Sequence, residues 1–255
     1  MKSFGVIMEK ESLETGNIFL INKPLGWTSF DAVKKIRNVL FKRLLPLSFG
    51  EGQGVRRLKV GHAGTLDPLA SGLLVICTGK MTKKIPEIQS LEKEYAGTFV
   101  LGATTPSYDM ETEINATFDF SRVTEKMLYD TTKQFIGKIL QTAPLHSAKK
   151  IEGKRAYHFA RKGKEIELKP VEVFIHSFEI TGIRLPEVAF KVMCSKGTYI
   201  RSLANDFGKA LGCGAYLASL CRTRIGNYLL ADALTPDEFS EKQISIRTHL
   251  KNDFP

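Results

Sequence analysis

The sequence predicts a mixed α/β (α+β) protein, and three stretches carry that expectation. Leu73-Leu74-Val75-Ile76-Cys77 is a wholly apolar run of strand length. Lys93 to Leu101 alternates in the two-residue period of a half-buried strand. Val33, Ile36, Val39 and Leu40 recur on one face at helical spacing, with Lys34, Lys35 and Arg37 outside it.

In chain order, residues 1–16 read as a loosely attached leader before a short strand at Ile18–Ile21. A Pro/Gly turn, Asn22 to Trp27, runs into the helix that holds the Val33 face. Thr28 with Asp31 three residues on is a capping-box-like start, with Asp in place of Glu. From Phe41 to Arg57 the chain is basic and irregular, and Gly50-Glu51-Gly52-Gln53-Gly54 predicts a surface loop. Neither this segment nor Gly79-Lys80-Met81-Thr82 meets the spacing and context of a nucleotide-phosphate loop. Lys59 to Gly72 follows, with three glycines and a proline between 61 and 72. Glycine permits positive φ and proline fixes φ, so this stretch predicts a loop of set geometry ahead of the apolar strand. It contains one acid, Asp67, and one imidazole, His62. A carboxylate beside apolar surface needs a partner, so Asp67 is either functional or a local turn former before Pro68.

Beyond it, Thr82–Ile88 predicts a short helix, 104–122 loop and edge, and Thr124–Ile136 a helix ended by Gly137 as C-cap. Residues 138–169 contain nine Lys/Arg against three Glu. Within them the helix-like stretch Gly153–Arg161 interleaves Tyr157, His158 and Phe159 with cations, a mixture suited to phosphates and bases together. Strands are predicted at Val171–Ile180 and Val188–Met193, then a strand turning into a helix across Cys194–Gly208. Thr235-Pro236 opens a last short helix with proline at its first position.

Composition narrows the function. The 255 residues carry a net charge of +10 and a pI near 9.4. A protein this basic most often meets polyanions, and because no basic amphipathic helix with a strong apolar face argues for lipid, nucleic acid is the expected partner. No apolar run approaches a bilayer span and no signal-peptide core opens the chain, so a cytoplasmic protein without a membrane partner is expected. Cys77, Cys194, Cys213 and Cys221 lack Cys-x-x-Cys or zinc spacing and read as reduced core thiols.

Gly61-His62-Ala63-Gly64-Thr65-Leu66-Asp67-Pro68-Leu69-Ala70-Ser71-Gly72-Leu73-Leu74 closely resembles the signature loop of the TruB family of pseudouridine synthases, where the Asp is catalytic. Lys23-Pro24-Leu25-Gly26-Trp27-Thr28-Ser29 is similar to that family's Lys-Pro-x-Gly-x-Thr-Ser segment. Lys93-Glu94-Tyr95 is similar to the motif with its active-site tyrosine. Cys194 to Gly208 resembles a third motif, in which Tyr199 and Arg201 line the site, and Leu220 falls where a leucine packs over the base.

The resemblance implies a largely antiparallel central sheet with flanking helices and a thumb-like insertion at 138–169. It sets a catalytic domain at 17–235 and a short tail at 236–255 in place of a separate C-terminal RNA-binding domain. It further implies isomerisation of uridine to pseudouridine at position 55 in the TΨC loop of tRNA, by a monomer that uses no guide RNA, cofactor or metal. Asp67 would be the nucleophile. Arg201 would keep it ionised, because a guanidinium lowers a buried carboxyl's pKa. Tyr95 and Leu220 would sandwich the everted base, and His62 would fill the space it leaves. Stacking on an aromatic returns about 1–3 kcal/mol against a flipping cost of a few kcal/mol. The rivals are a guide-dependent catalyst of the same kind and an RNA chaperone whose catalysis is lost; intact Asp67, Tyr95 and Arg201 speak against the second.

Overall fold

A computed structural model describes residues 16–44, 58–145, 150–151, 154–155 and 168–242. The rest of the expected leader, the glycine-rich loop Gly50–Gly54, residues 156–167 of the basic stretch and the tail beyond 242 lie outside the described residues. The chain forms two compact units, Met1–Leu91 with Arg222–Pro255, and Glu92–Cys221.

The first unit is built on β3, Ala70–Thr78. β1, Ile18–Lys23, pairs with it antiparallel from Ile18↔Cys77 to Lys23↔Gly72. β2, Val60–His62, pairs with it from Val60↔Thr78 to His62↔Ile76. Leu73 to Cys77 has no exposure on either face. One face, through Leu74 and Ile76, packs with Phe19, Ile21 and the Ala32, Val33, Ile36 and Leu40 side of α1, Ser29–Leu44. The other, through Leu73, Val75 and Cys77, packs with Ala63, Ile88 and Ile225. Burial on both faces is why this strand reads as a continuous apolar run and not an alternating one.

α1 starts as expected. The Thr28 N–H donates to Asp31 Oδ2 at 2.9 Å and the Asp31 N–H to Thr28 Oγ1 at 3.1 Å, a reciprocal cap. After β3 come a 3₁₀ turn, Gly79–Lys84, and α2, Ile85–Ser90. The single helix expected at Thr82–Ile88 is thus two pieces, the second opened by Pro86, which an interior helical position would not tolerate.

The second unit is an antiparallel sheet in which only β10 and β11 are neighbours along the chain. β4, Lys93–Leu101, pairs with β11, Glu187–Cys194; β11 pairs with β10, Val171–Arg184; β10 pairs with β7, Gly137–Gln141. Its core is aromatic: Phe99 stacks on Phe190 with centroids 4.0 Å apart, and Phe178 and Phe207 close around them. Phe207 belongs to α4, Ile200–Ala210. β12, Ala215–Ile225, runs through the boundary between the units. A Cβ at Gly97 would lie 2.3 Å from the Ser219 carbonyl, so only glycine lets the backbones approach so closely there.

Several expectations are corrected. The loop expected over 61–72 is confined to 63–69, because Val60–His62 and Ala70–Gly72 already pair in the sheet. α3 is Glu125–Lys133, capped by Thr124 Oγ1, and does not reach Ile136. The chain turns at Gln134–Ile136, Phe135 packs against Phe178 and Phe207, and Gly137 opens β7 at φ 98° without capping the helix. Residues 104–122, read as loop and edge, include a small hairpin, β5 (Ala103–Thr104) with β6 (Ala116–Thr117), and also buried Ser107 and Asp109. Lys138–Gln141, assigned to the basic insertion, belong to β7. Lys154–Arg155, read as helix, form strand β9 against β8, Lys150–Ile151. The last helix, α5 at 236–242, starts at Pro236 as expected and adds a full capping box between Thr235 and Glu238. The four cysteines are free thiols, and burial pushes Cys77 and Cys194 up to about 11.

Candidate functional site

In the first unit the 63–69 loop is fastened from three sides. Ser29, the first residue of α1, donates through Oγ to the Leu66 carbonyl at 3.1 Å and accepts from the Leu66 N–H at 2.8 Å. The Gly26 N–H donates to the Pro68 carbonyl at 2.8 Å. Arg222, 1% exposed, donates from Nε to the Leu73 carbonyl at 2.8 Å, from Nη2 to Gly64 at 3.0 Å and from Nη1 to Thr65 at 3.4 Å. Gly64 is at φ 107°, a conformation that side chains avoid. Asp67, half-buried, sits at the end of this fixed loop, and its carbonyl accepts from the Ala70 N–H at 3.0 Å.

Two buried cations surround that loop. Besides Arg222 there is Lys23, with no solvent exposure, whose Nζ donates to the Pro24 and Trp27 carbonyls at 3.0 and 2.6 Å. Burial lowers the Lys23 ammonium to about 8; the Asp67 charge opposes this and the Arg222 charge adds to it. His62, half-buried at the end of β2, is lowered by burial and further by Arg222, against a raising hydrogen bond with the Gly64 backbone. Its Nδ1 is buried and has no hydrogen-bond partner among the described residues. The shift favours the neutral imidazole over the charged one.

In the second unit Tyr95 lies in β4, 9% exposed. Tyr199 is the N-cap of α4, and Gln141 grips its backbone: the Tyr199 N–H donates to Oε1 at 2.7 Å and Nε2 donates to the Tyr199 carbonyl at 3.1 Å. Arg201 follows in the first turn. A cation there opposes the helix dipole, yet this one is 4% exposed. Its Nη1 lies 3.4 Å from Asp109 Oδ2 and 3.5 Å from the Ser107 carbonyl. Asp109 is itself pinned, its Oδ1 accepting from the Glu111 N–H at 2.9 Å, just after Tyr108 turns the chain at φ 63°. Leu220, half-buried, is in β12.

His62 and Asp67 therefore belong to the first unit, and Tyr95, Tyr199, Arg201 and Leu220 to the second. The sequence reading missed three charged residues. Lys23 opens the Lys-Pro-x-Gly-x-Thr-Ser segment and Arg222 follows Leu220 by two residues, but neither position by itself signals a buried cation. Asp109 had no signal, because it lay in a stretch read as loop and edge.

The description "TruB family pseudouridylate synthase (N terminal domain)" matches residues 53–200, more than half of the chain. The description "tRNA pseudouridylate synthase B C-terminal domain" matches 201–253. A protein named tRNA pseudouridine synthase B from Flavobacterium johnsoniae is 52% identical over 235 residues, covering 92% of this chain and 99% of its own. One of the same name from Bacteroides fragilis is 49% identical over 230 residues, covering 90% and 95%. Among solved structures, a Cbf5-Nop10-Gar1 complex is 25% identical with a TM-score of 0.64, over 92% of this chain and 60% of that one. An archaeal box H/ACA sRNP Nop10-Cbf5 complex, 24% identical with a TM-score of 0.66 over 94% and 57%, shares the fold. With the Asp67 loop inside the first matched segment and two family descriptions running from 53 to 253, the chain belongs to the TruB family of pseudouridylate synthases.

Proposed function

We propose that this protein is a tRNA pseudouridine synthase that isomerises uridine to pseudouridine at position 55 in the TΨC loop, independently of a guide RNA. The observation that carries the reading is Asp67, a lone carboxylate on a loop of fixed backbone, in a chain half identical to proteins of that name. The reaction breaks the bond between uracil N1 and ribose C1′, turns the base and joins C5 to C1′; N1 gains a proton and C5 loses one. It is redox-neutral, and the departing base is also the returning nucleophile, so a single carboxylate suffices and no cofactor or metal is called for. Asp67 acts as the nucleophile on the target nucleotide, as a carboxylate does in covalent catalysis.

The remaining roles rest on the matched motifs. Tyr95 stacks under the everted base and Leu220 covers it. Tyr199 and Arg201 line the substrate, with Arg201 the guanidinium meant for the nucleophile. His62 occupies the space the nucleotide leaves. The basic residues of 138–169 grip the tRNA arm. The protein acts as a cytoplasmic monomer; no helix among the described residues is long and apolar enough to cross a membrane.

Release of tritium from C5-labelled uridine in a tRNA transcript, with no guide RNA present, tests the activity. We expect release by the unaltered chain and at least a 1,000-fold loss in Asp67→Asn with tRNA affinity retained, on the scale at which loss of a nucleophile acts. Unchanged release in that variant would remove Asp67 from the chemistry. Release only on addition of a guide RNA would reassign the protein to guided modification.

A further inference from the structure

α1 buries Ala32, Val33, Ile36 and Leu40 and turns a different stripe to solvent. Phe30, Lys34 and Arg37 fall at i, i+4 and i+7, one face of a helix, and all three are exposed, Phe30 by 65%. Phe30 is largely outside the packing at the helix start. It is the second helical residue, whereas the apolar contact that steadies a capping box uses the residues before the cap and at the fourth position, here Trp27 and Ala32. Neither Lys34 nor Arg37 is in an ion pair among the described residues, unlike Lys35, which meets Asp237 at 3.1 Å. The helix carries five Lys/Arg and one acid, Asp31, whose carboxylate is engaged by Thr28. Leu25, in the preceding turn, is 66% exposed.

This face is continuous with the catalytic loop. Leu25 and Phe30 bracket the two residues that bind it, Gly26 through the Pro68 carbonyl and Ser29 through Leu66. An exposed aromatic with cations one and two turns on combines base stacking with phosphate attraction, the pairing used for unpaired nucleic acid. Seven residues of helix span about 10 Å, roughly three nucleotides of a stacked strand at about 3.4 Å each.

We propose that the outer face of α1 is a second RNA contact, in which Phe30 stacks on an unpaired base near the target uridine while Lys34 and Arg37 meet flanking phosphates. The proposal rests on the tRNA reading above and adds to it a place where the substrate's loop is held outside the catalytic pocket.

The test uses the full chain, a TΨC stem-loop RNA and three variants: Phe30→Ala, Phe30→Trp and Lys34→Gln with Arg37→Gln. Because the altered side chains are exposed, melting temperatures should stay unchanged. Phe30→Ala is expected to weaken RNA binding by about 5- to 150-fold, the effect of losing one base stack, with the single-turnover rate at saturating RNA preserved. Phe30→Trp should restore affinity. The double variant should reduce the salt slope of binding by about one to two. Unchanged affinity and slope across the three would overturn the proposal. So would a dimer that Phe30→Ala abolishes while RNA binding stays intact, since the face would then belong to a second copy of the chain. Affinity is read without turnover, so a failure of the unaltered chain to release tritium would sink the activity and leave this contact to be judged on binding alone.

Discussion

Lys23 and Arg222 are buried cations whose hydrogen bonds run to backbone carbonyls. Such groups cost stability unless something in the site uses their charge, and for Lys23 the carboxylates of Asp67 and, more weakly, Asp31 do so. Both resist the fall of the Lys23 pKa to about 8. The sign of the consequence is determined. In the unfolded chain the ammonium titrates near its ordinary value of 10.5, so below pH 8 the folded state must carry a disfavoured charge, and that penalty fades as the pH rises from 8 to 10.5. Denaturant unfolding of the wild type and Lys23→Met at pH 7 and pH 10 should therefore show the wild type gaining on the variant at the higher pH. A difference that does not change with pH would mean that Lys23 titrates normally. In an Asp67→Asn background the pKa should fall further, because the larger opposing charge is gone.

At the scale of elements, the start of α1 and the 63–69 loop act as one piece through Ser29. Its hydroxyl is the partner of both backbone groups of Leu66, and Leu66 is 4% exposed. Ser29→Ala leaves a buried N–H and C=O unpaired, at about 1–3 kcal/mol. We expect a lower melting temperature and a reduced single-turnover rate, with RNA affinity little affected. An unchanged rate would show that the loop holds its shape without the helix.

The elements were legible where local pattern decides structure. β4 matched its predicted limits because alternation along Lys93–Leu101 coincides with burial of Lys93, Tyr95, Phe99 and Leu101. The cap at Thr28 was legible because both partners lie within three residues. The end of α3 was not, since Gly137 suits either a C-cap or a strand entry and the packing of Phe135 on Phe178 decides between them. Asp109 could not be read at all: the contact that gives its loop meaning, Ser107 to Arg201, joins residues 94 apart. Arg222 reaches across 149 to 158 residues to its carbonyls.

For the molecule as a whole, a net charge of +10 makes affinity for RNA a function of ionic strength. Changing Arg155 and Arg161 together to Gln should weaken tRNA binding and lower the magnitude of its salt slope by about one to two, with tritium release at saturating tRNA maintained; an unaltered slope would remove that stretch from the contact with tRNA. Family membership was legible from the long motif around Asp67, since a resemblance at nearly every position of a stretch from Gly61 to Leu74 constrains far more than any single residue type. The division into two units was not, because no linker composition marks Leu91 or Cys221. The grip of Arg222 on the loop has a consequence for how this protein can change over time. Its donors reach main-chain oxygens, which every residue owns, so Thr65 could drift in identity while the curve that presents Asp67 persists. Gly64 is held to glycine by its dihedral alone, and Arg222 has no substitute with three donors in that fork.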